Sequence, residues 1–181
     1  MMPRIPTGGI LLGDVSHVGI AVFDVEETAT AMAESLGIGP FRLREIHTPR
    51  ERGSIRGEPR AYTLRFAYAR SGPVTVELIA PAGGETIYDE FLRERGPGLH
   101  HLGYPMGGLL DEELERWEEA GYRADMVHRR EDPRYGWAYL DTGLGFLAEI
   151  LCDPPLGWWE SRTLARDLAG PLGAHLRPSE E

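Results

Sequence analysis

Two stretches of the chain open and close with similar residues, and this internal repeat limits the possible folds more than any other feature. The first stretch opens at residues 16–22 (SHVGIAV) and closes at 76–79 (VELI). The second opens at 100–106 (HHLGYPM) and closes at 148–151 (AEIL). Each opening combines histidine, a large apolar residue and glycine, and each closing is an apolar run interrupted by one glutamate. We therefore expect two similar supersecondary units.

The residues between each opening and closing predict one helix followed by three strands. Asp24, with Glu27 three residues later, predicts a capped helix that ends at Gly37. In the second unit, Asp111 is expected to cap a helix that ends at Gly121. Short apolar runs then predict the strands, which lie at about 41–47, 61–68, 74–80, 122–128, 135–141 and 146–152. The predicted order is βαβββ, twice.

This order predicts an α+β fold in which two tandem βαβββ modules form a curved mixed sheet around a central site. A short helix is expected between the modules, because Ile87 and Phe91 lie four residues apart. The expected organisation is an N-terminal arm (1–13), a first module (14–82), a linking helix (83–97), a second module (98–153) and a C-terminal extension (154–181). The extension contains apolar residues at 158, 159, 164 and 168 that predict partly helical packing on the body.

Composition excludes several classes of function. The chain has no lysine, so all 19 basic residues are arginine, which excludes Schiff-base catalysis and a Walker-type phosphate loop. A net charge of -10 argues against nucleic-acid binding. No window approaches the roughly 18 apolar residues of a membrane span. The single cysteine, Cys152, cannot form an internal disulfide and is expected to be a buried thiol. We expect a cytoplasmic protein with no membrane partner.

Alternation along the strands predicts which side chains share a face. In the first opening strand, His17 lies with the small residues Gly19 and Ala21, a pattern typical of a strand that something else must approach. In the second opening, His101 lies with Gly103, whereas alternation directs His100 to the opposite face. The repeat therefore selects His101 as the counterpart of His17.

Four residues at equivalent places in the repeat suggest a metal site. Glu77 and Glu149 interrupt apolar closing strands, where an ionised carboxylate is costly unless it is paired or bound to a metal. Together with His17 and His101 they provide nitrogen and oxygen ligands that suit Zn, Ni, Co, Mn or Fe more than Ca or Mg. Such an ion would act as a Lewis acid that stabilises an enediolate beside a carbonyl group.

Arginine and histidine side chains supply candidates for binding an anionic small-molecule substrate. Residues 45–60 are rich in arginine and glycine, so this segment is expected to be either a mobile lid that grips phosphate or carboxylate or a solvated loop. Two histidines each end the strand that follows a module's helix. The candidate substrate-binding residues are Arg50, Arg56, Arg60, His47 and His128.

These residues carry a resemblance to the vicinal-oxygen-chelate superfamily, which includes glyoxalases, bleomycin-resistance proteins and extradiol dioxygenases. Within it, the chain is most similar to methylmalonyl-CoA epimerases and their glyoxalase-like neighbours. The similarity covers residues 14–153, and its most specific part is the Gly-Leu-His-His phrase at 98–101 followed by an apolar strand. The resemblance implies paired βαβββ modules around one metal, with His17, Glu77, His101 and Glu149 at the ligand positions. Homodimers built on sheet edges are common in such folds.

Two departures bear on the reaction. The epimerases often have glutamine where this chain has Glu77, and the dioxygenases keep only two histidines and one glutamate on iron, so Glu77 favours a glyoxalase-like site. The epimerases also carry a glutamate that acts as a base on the strand before the second ligand, whereas residues 61–67 contain no carboxylate. Proton abstraction would then fall to Glu149 released from the metal, to metal-bound hydroxide, or to His47 or His128.

The sequence thus predicts a metal-dependent isomerase, epimerase or lyase with Glu149 and Glu77 as catalytic residues. Its substrate would be a small carbonyl acid or acyl thioester bound through two oxygens. One alternative is a non-catalytic protein of the same fold that binds or sequesters a small molecule. A less favoured alternative is an extradiol-type dioxygenase.

Overall fold

A computed structural model describes residues 12–153 and 176–178, which form three helices and one curved 11-stranded sheet. The sheet order is β11-β2-β5-β6-β1-β7-β10-β9-β8-β3-β4. The helices are α1 (Val25–Leu36), α2 (Ile87–Arg95) and α3 (Leu110–Glu119). The strands are β1 (His17–Ala21), β2 (Phe41–Thr48), β3 (Gly53–Ile55), β4 (Glu58–Pro59), β5 (Tyr62–Ser71), β6 (Val74–Gly83), β7 (Gly98–Met106), β8 (Ala124–Arg129), β9 (Gly136–Asp141), β10 (Leu147–Cys152) and β11 (Leu176–Pro178).

The two modules have the same strand connectivity, which confirms the α+β fold expected from the repeat. In the first module β1 pairs in parallel with β6, and β6, β5 and β2 follow as antiparallel neighbours. In the second module β7 pairs in parallel with β10, followed by β9 and β8. The opening strands β1 and β7 pair antiparallel and join the modules into one continuous sheet. Helix α2 connects the modules along the chain.

The observed caps of the module helices agree only in part with those predicted from the sequence. Asp24 is the N-cap of α1 and accepts a hydrogen bond from the Glu27 backbone N–H at 2.8 Å, while Gly37 ends the helix with a left-handed φ of 67°. Helix α3 instead begins at Leu110, so the prediction that Asp111 caps it is wrong. Asp111 lies in the first turn, where negative charge is favourable, and its carboxylate accepts a hydrogen bond from Arg129.

Apolar packing covers both faces of the sheet. Helix α1 packs its buried residues on the outer face of the first module, and α3 does the same on the second module through Leu110 and Trp117. Cys152 belongs to the α3 cluster, and burial raises the pKa of its thiol to about 12, as expected for an inert buried cysteine. The inner face carries an aromatic cluster that includes Phe66, Tyr68, Trp137 and Tyr139 and is contacted by α2.

The arginine-rich segment contains regular secondary structure and is not an irregular loop throughout. Its centre forms the β3–β4 hairpin, which turns through Arg56 (φ 49°) and Gly57 (φ 84°). Strand β3 pairs antiparallel with β8, the outer strand of the second module, although the segment follows β2 of the first module. Alternation did not reveal this hairpin, because its strands are only three and two residues long. The hairpin therefore links the far edges of the two modules.

Parts of the predicted arm and extension lie outside the described residues. These parts are residues 1–11, 154–175 and 179–181, and they include the apolar residues of the extension. Residues 176–178 form β11, which pairs in parallel with β2. Within the described residues, no helix combines the length and apolar character needed to cross a membrane.

The sequence predicts both Asp24 and Asp111 as helix N-caps, but we expect the two aspartates to contribute differently to the free energy of unfolding. Replacing Asp24 with Ala removes a cap hydrogen bond and should lower the free energy of unfolding by about 1 kcal/mol. Replacing Asp111 with Ala removes an exposed ion pair and should cost about 0.5 kcal/mol or less. Urea denaturation of both variants measures the difference, and equal losses would contradict the assigned caps.

Candidate metal centre

Four buried side chains from the two modules converge at the centre of the sheet: His17 of β1, Glu77 of β6, His101 of β7 and Glu149 of β10. One ligand atom from each lies within 4.8 Å of the others. The Nε2 atoms of the two imidazoles are 3.1 Å apart, and Glu149 Oε2 lies 2.6 Å from His17 Nε2. Glu77 Oε2 lies 3.2 Å from His101 Nε2. The structure thus brings together the four residues that the repeat singled out.

The pairing of β1 with β7 explains why each histidine is accompanied by a glycine. His17 lies opposite Gly103, and Gly19 lies opposite His101. A Cβ atom on Gly103 would stand 2.0 Å from the His17 ring, and a Cβ on Gly19 would stand 2.0 Å from the His101 ring. Each glycine therefore leaves the space that the imidazole of the other module occupies.

The parallel strand pairs place the carboxylates beside the same glycines. Glu77 is the β6 partner of Gly19, and Glu149 is the β10 partner of Gly103. Every member of the site is thus fixed by its position in a strand, and rigid strands hold ligands more accurately than loops do.

Hydrogen bonds at the Nδ1 atoms turn both imidazoles so that Nε2 faces the carboxylates. His17 Nδ1 lies 3.1 Å from Ser16 Oγ, which donates its own proton to the Gly103 carbonyl. Ser16 Oγ therefore accepts from His17, and the Nε2 lone pair is directed into the site. Contacts of this kind commonly orient metal-binding histidines.

His100 holds His101 in the same way, contrary to the expectation that it points away. The β1–β7 register shifts between Gly19 and Ile20, which leaves His100 as the extra residue of a β-bulge. Its Nδ1 lies 3.0 Å from His101 Nδ1, and its ring stacks on Tyr88 with centroids 4.3 Å apart. Sequence alternation missed this residue because it assumes an unbroken strand, although two adjacent histidines are compatible with a bulge.

The buried charges shift one another's ionisation. Burial favours neutral His101, but Glu149 and Glu77 overcome this and raise the pKa of His101 to about 9. Burial likewise opposes ionisation of Glu149, yet His101 and His17 hold its pKa below the usual range. In the absence of a metal, a protonated imidazole therefore offsets the charge of the carboxylates.

The donor set fits a divalent transition-metal ion. Separations of 2.6–3.5 Å between the imidazole nitrogens and the carboxylate oxygens are typical of neighbouring ligands around an ion with bonds of about 2.1 Å. Glu149 Oε2 is buried, and its ion-pair partners among the described residues are the Nε2 atoms of His17 and His101, at 2.6 and 3.4 Å. A bound cation would satisfy that oxygen. Two imidazoles and two carboxylates could therefore hold one divalent ion.

A small inner cavity beside the carboxylates adjoins a wider outer cleft. We define the inner cavity by Glu77, Glu149, Phe66, Tyr68 and Tyr139, together with residues that it shares with the cleft. The shared residues are Arg44, Ile46, Arg130 and Trp137. A substrate that reaches the four-residue cluster through this cleft must pass between strands of both modules.

The structure separates the predicted substrate-binding residues into two groups. His47 and His128 line the outer cleft. Arg50 and Arg60 line neither the inner cavity nor the outer cleft, and Arg56 lines a different cleft beside α2, where it forms a bidentate ion pair with Glu90.

His128 is held as a neutral imidazole at the wall of the outer cleft. Its ring stacks on Trp137 with centroids 3.7 Å apart, and Nδ1 lies 3.0 Å from Thr48 Oγ1. Burial, reinforced by the guanidinium groups of Arg130, Arg52 and Arg44, lowers the pKa of His128 to about 3. His47 is exposed, and its Nδ1 lies 2.7 Å from Thr63 Oγ1.

Comparison with known proteins identifies the family. Residues 16–139 match the Glyoxalase/Bleomycin resistance protein/Dioxygenase superfamily, and the chain belongs to this superfamily. It is also 25% identical over 101 residues to the uncharacterized protein YqjC of Bacillus subtilis (strain 168). That match covers 56% of this chain and 62% of the relative.

Solved structures show the same fold. Methylmalonyl-CoA epimerase from Mycobacterium tuberculosis is 23% identical with a TM-score of 0.54, covering 81% of this chain and 92% of the epimerase. A mutant of 4-hydroxymandelate synthase from Streptomyces coelicolor is 18% identical with a TM-score of 0.54, covering 82% of this chain and 40% of the synthase. Such proteins are enzymes, and together with the family match they confirm the vicinal-oxygen-chelate fold.

Adding a methyl group at Gly103 should disrupt the site. In Gly103→Ala the new Cβ would overlap the His17 ring, so we expect loss of metal-binding capacity and about 1–3 kcal/mol of stability. Gly98→Ala in the same strand is the control, because a Cβ there meets no atom within 4 Å. Calorimetric zinc titration and urea denaturation measure both effects. Wild-type zinc binding in Gly103→Ala would contradict the geometry.

The metal-free protein should lose stability as the pH rises from about 6.5 to about 9. The pKa of His101 is raised on folding from 6.5 to about 9, so its stabilising contribution is complete below 6.5 and disappears as the folded protein deprotonates. Thermal unfolding of chelator-treated protein across this range tests the prediction. The pH dependence should weaken in Glu149→Gln, which lacks the charge that most raises this pKa; identical profiles would contradict the assignment.

Proposed function

We propose that the protein is a metal-dependent isomerase, epimerase or lyase that moves a proton at the carbon beside a carbonyl group. The substrate is a small carbonyl acid or acyl thioester that binds through two oxygens. The observation that carries this proposal is the buried cluster of His17, Glu77, His101 and Glu149, whose two carboxylates line a cavity. Membership of the superfamily and similarity to the fold of the epimerase support the proposal by analogy.

The proposed ion is Zn, Ni, Co, Mn or Fe, because two imidazole nitrogens and two carboxylate oxygens form a mixed donor set. When bound, it supplies Lewis-acid stabilisation of the negative charge of an enediolate. Ser16 and His100 keep the Nε2 atoms of the two histidines directed toward it.

Glu149 and Glu77 are the proposed proton-transfer residues. They are the carboxylates among the residues that line the inner cavity, whereas β5 lines it with Phe66 and Tyr68. Glu149 is the stronger candidate, because epimerases of this fold often carry glutamine at the position of Glu77. His128 is a poor base, since a pKa of about 3 is far from the pH at which the protein would work.

Aromatic residues complete the proposed reaction chamber. Tyr139 lines the inner cavity, and its hydroxyl group is buried beside that of Tyr88. Burial and the nearby Glu149 raise the pKa of Tyr139 well above 10, so the hydroxyl stays protonated. We assign it the role of donating a hydrogen bond to a substrate oxygen, while Phe66 and Trp137 exclude water.

Metal content tests the first part of the proposal. Purified protein should contain one equivalent of a divalent transition metal by elemental analysis, and His17→Ala and His101→Ala should each lose most of it. Cys152→Ala is a control outside the cluster. Unchanged metal content in both histidine variants would contradict the assigned ligands.

Loss of deuterium tests the reaction. Acyl thioesters and 2-oxo acids that carry deuterium at the α-carbon should exchange this deuterium for solvent protons in the presence of the correct metal. Glu149→Gln should slow exchange roughly 10²–10⁴-fold, the usual effect of removing a general base. Glu77→Gln should slow exchange less than Glu149→Gln does, because epimerases of this fold often carry glutamine at that position.

The same measurements distinguish the alternatives. Ligand binding that survives chelation, without loss of any α-deuterium, would identify a sequestering protein. Iron with oxygen uptake on catechols would identify an extradiol-type dioxygenase.

A further inference from the structure

Three half-buried arginines line the mouth of the path to the metal centre. Arg44 lies on β2, Arg52 lies between β2 and β3, and Arg130 follows β8, so both modules contribute to the same outer cleft. Each of the three lowers the pKa of His128 through its charge, which places their guanidinium groups around one point. This concentration of positive charge is unusual on a chain of net charge -10.

Two of the three acidic residues that line the same cleft are paired with other arginines. Glu45 is paired with Arg65, and Asp132 is paired with Arg134, so arginines outside the cleft lining neutralise both. Glu131 is exposed.

Arg130 requires separate treatment because it forms an ion pair with Asp153. This pair holds its side chain, and the guanidinium carbon lies 5.6 Å from the centre of the Trp137 ring. Trp137 also stacks on His128, so the arginine lies on a packed aromatic surface. A guanidinium group held in one place loses little conformational freedom when it binds an anion.

The outer cleft adjoins the inner cavity. Arg44 and Arg130 line both spaces, whereas Arg52 lines only the outer cleft. A molecule with two oxygens at the metal centre would therefore extend its opposite end past Arg44 and Arg130 toward Arg52.

We infer that Arg44, Arg52 and Arg130 form a subsite for a carboxylate or phosphate group at the end of the substrate remote from its chelating oxygens. This inference rests on the proposed function for the identity of the substrate, but the subsite itself is independent of the metal. Guanidinium groups are suited to this role, because they bind such anions through paired hydrogen bonds. The substrate thus belongs to the carbonyl compounds that carry a second, anionic end.

Titration of the metal-free full-length protein with inorganic phosphate, and separately with acetate, tests the subsite. The Trp137 indole and arginine Nε–H signals in ¹H–¹⁵N spectra report binding, which should saturate. Arg52→Gln should weaken binding about tenfold or more, as expected for loss of a charged hydrogen bond. Arg130→Gln should do the same, whereas the exposed Arg93→Gln, which removes an equal charge from α2, should bind like wild type.

The outcomes separate this inference from the proposed function. His17→Ala should lose metal but bind phosphate normally, and Arg52→Gln should retain metal. Tighter binding of phosphate or of acetate identifies which anionic group the subsite prefers, and either result supports it. Chemical-shift changes that do not saturate would overturn the inferred anion subsite even if the assigned metal ligands are correct. Equal affinities for the anion in Arg52→Gln, Arg130→Gln and Arg93→Gln would overturn it as well.

Discussion

The antiparallel pairing of β1 with β7 is the interaction on which the rest of the site depends. It places His17 opposite Gly103 and His101 opposite Gly19, so each module provides both an imidazole and the space for the other imidazole. A shift of one residue in this register would turn one of the two histidines to the opposite face of the sheet from the other. The β-bulge at His100 is compatible with this requirement because it lies outside the stretch of β1 and β7 from His17 to Gly19 and from His101 to Gly103.

Burial of two carboxylates beside two imidazoles makes the centre depend on a positive charge. Without metal, protonation of His101 provides this charge, and a bound divalent ion would provide it instead. Protons and metal therefore compete for the same nitrogen atoms. The apolar layers beneath α1 and α3 supply stability that does not depend on this exchange.

Much of the fold and the cluster could be predicted because both follow from local periodicity. Alternation and the repeat identified the strands and the four converging residues, and Asp24 signalled the start of α1. The same reasoning failed where pairing with a neighbouring element decides the conformation of a residue or segment. The β-bulge reorients His100, and the hairpin after β2 pairs with β8 of the other module, so part of residues 45–60 joins the sheet.

The sequence by itself determined the βαβββ repeat, the helix limits at Asp24 and Gly37, and the residue types available for chemistry. Only the tertiary structure decided which arginines face the cleft. Arg44 and Arg130 lie more than 80 residues apart in the chain, and strands of different modules bring them to the same wall. The physical reason is that strand alternation depends on neighbouring residues, whereas a cleft is formed by strand pairings between distant segments.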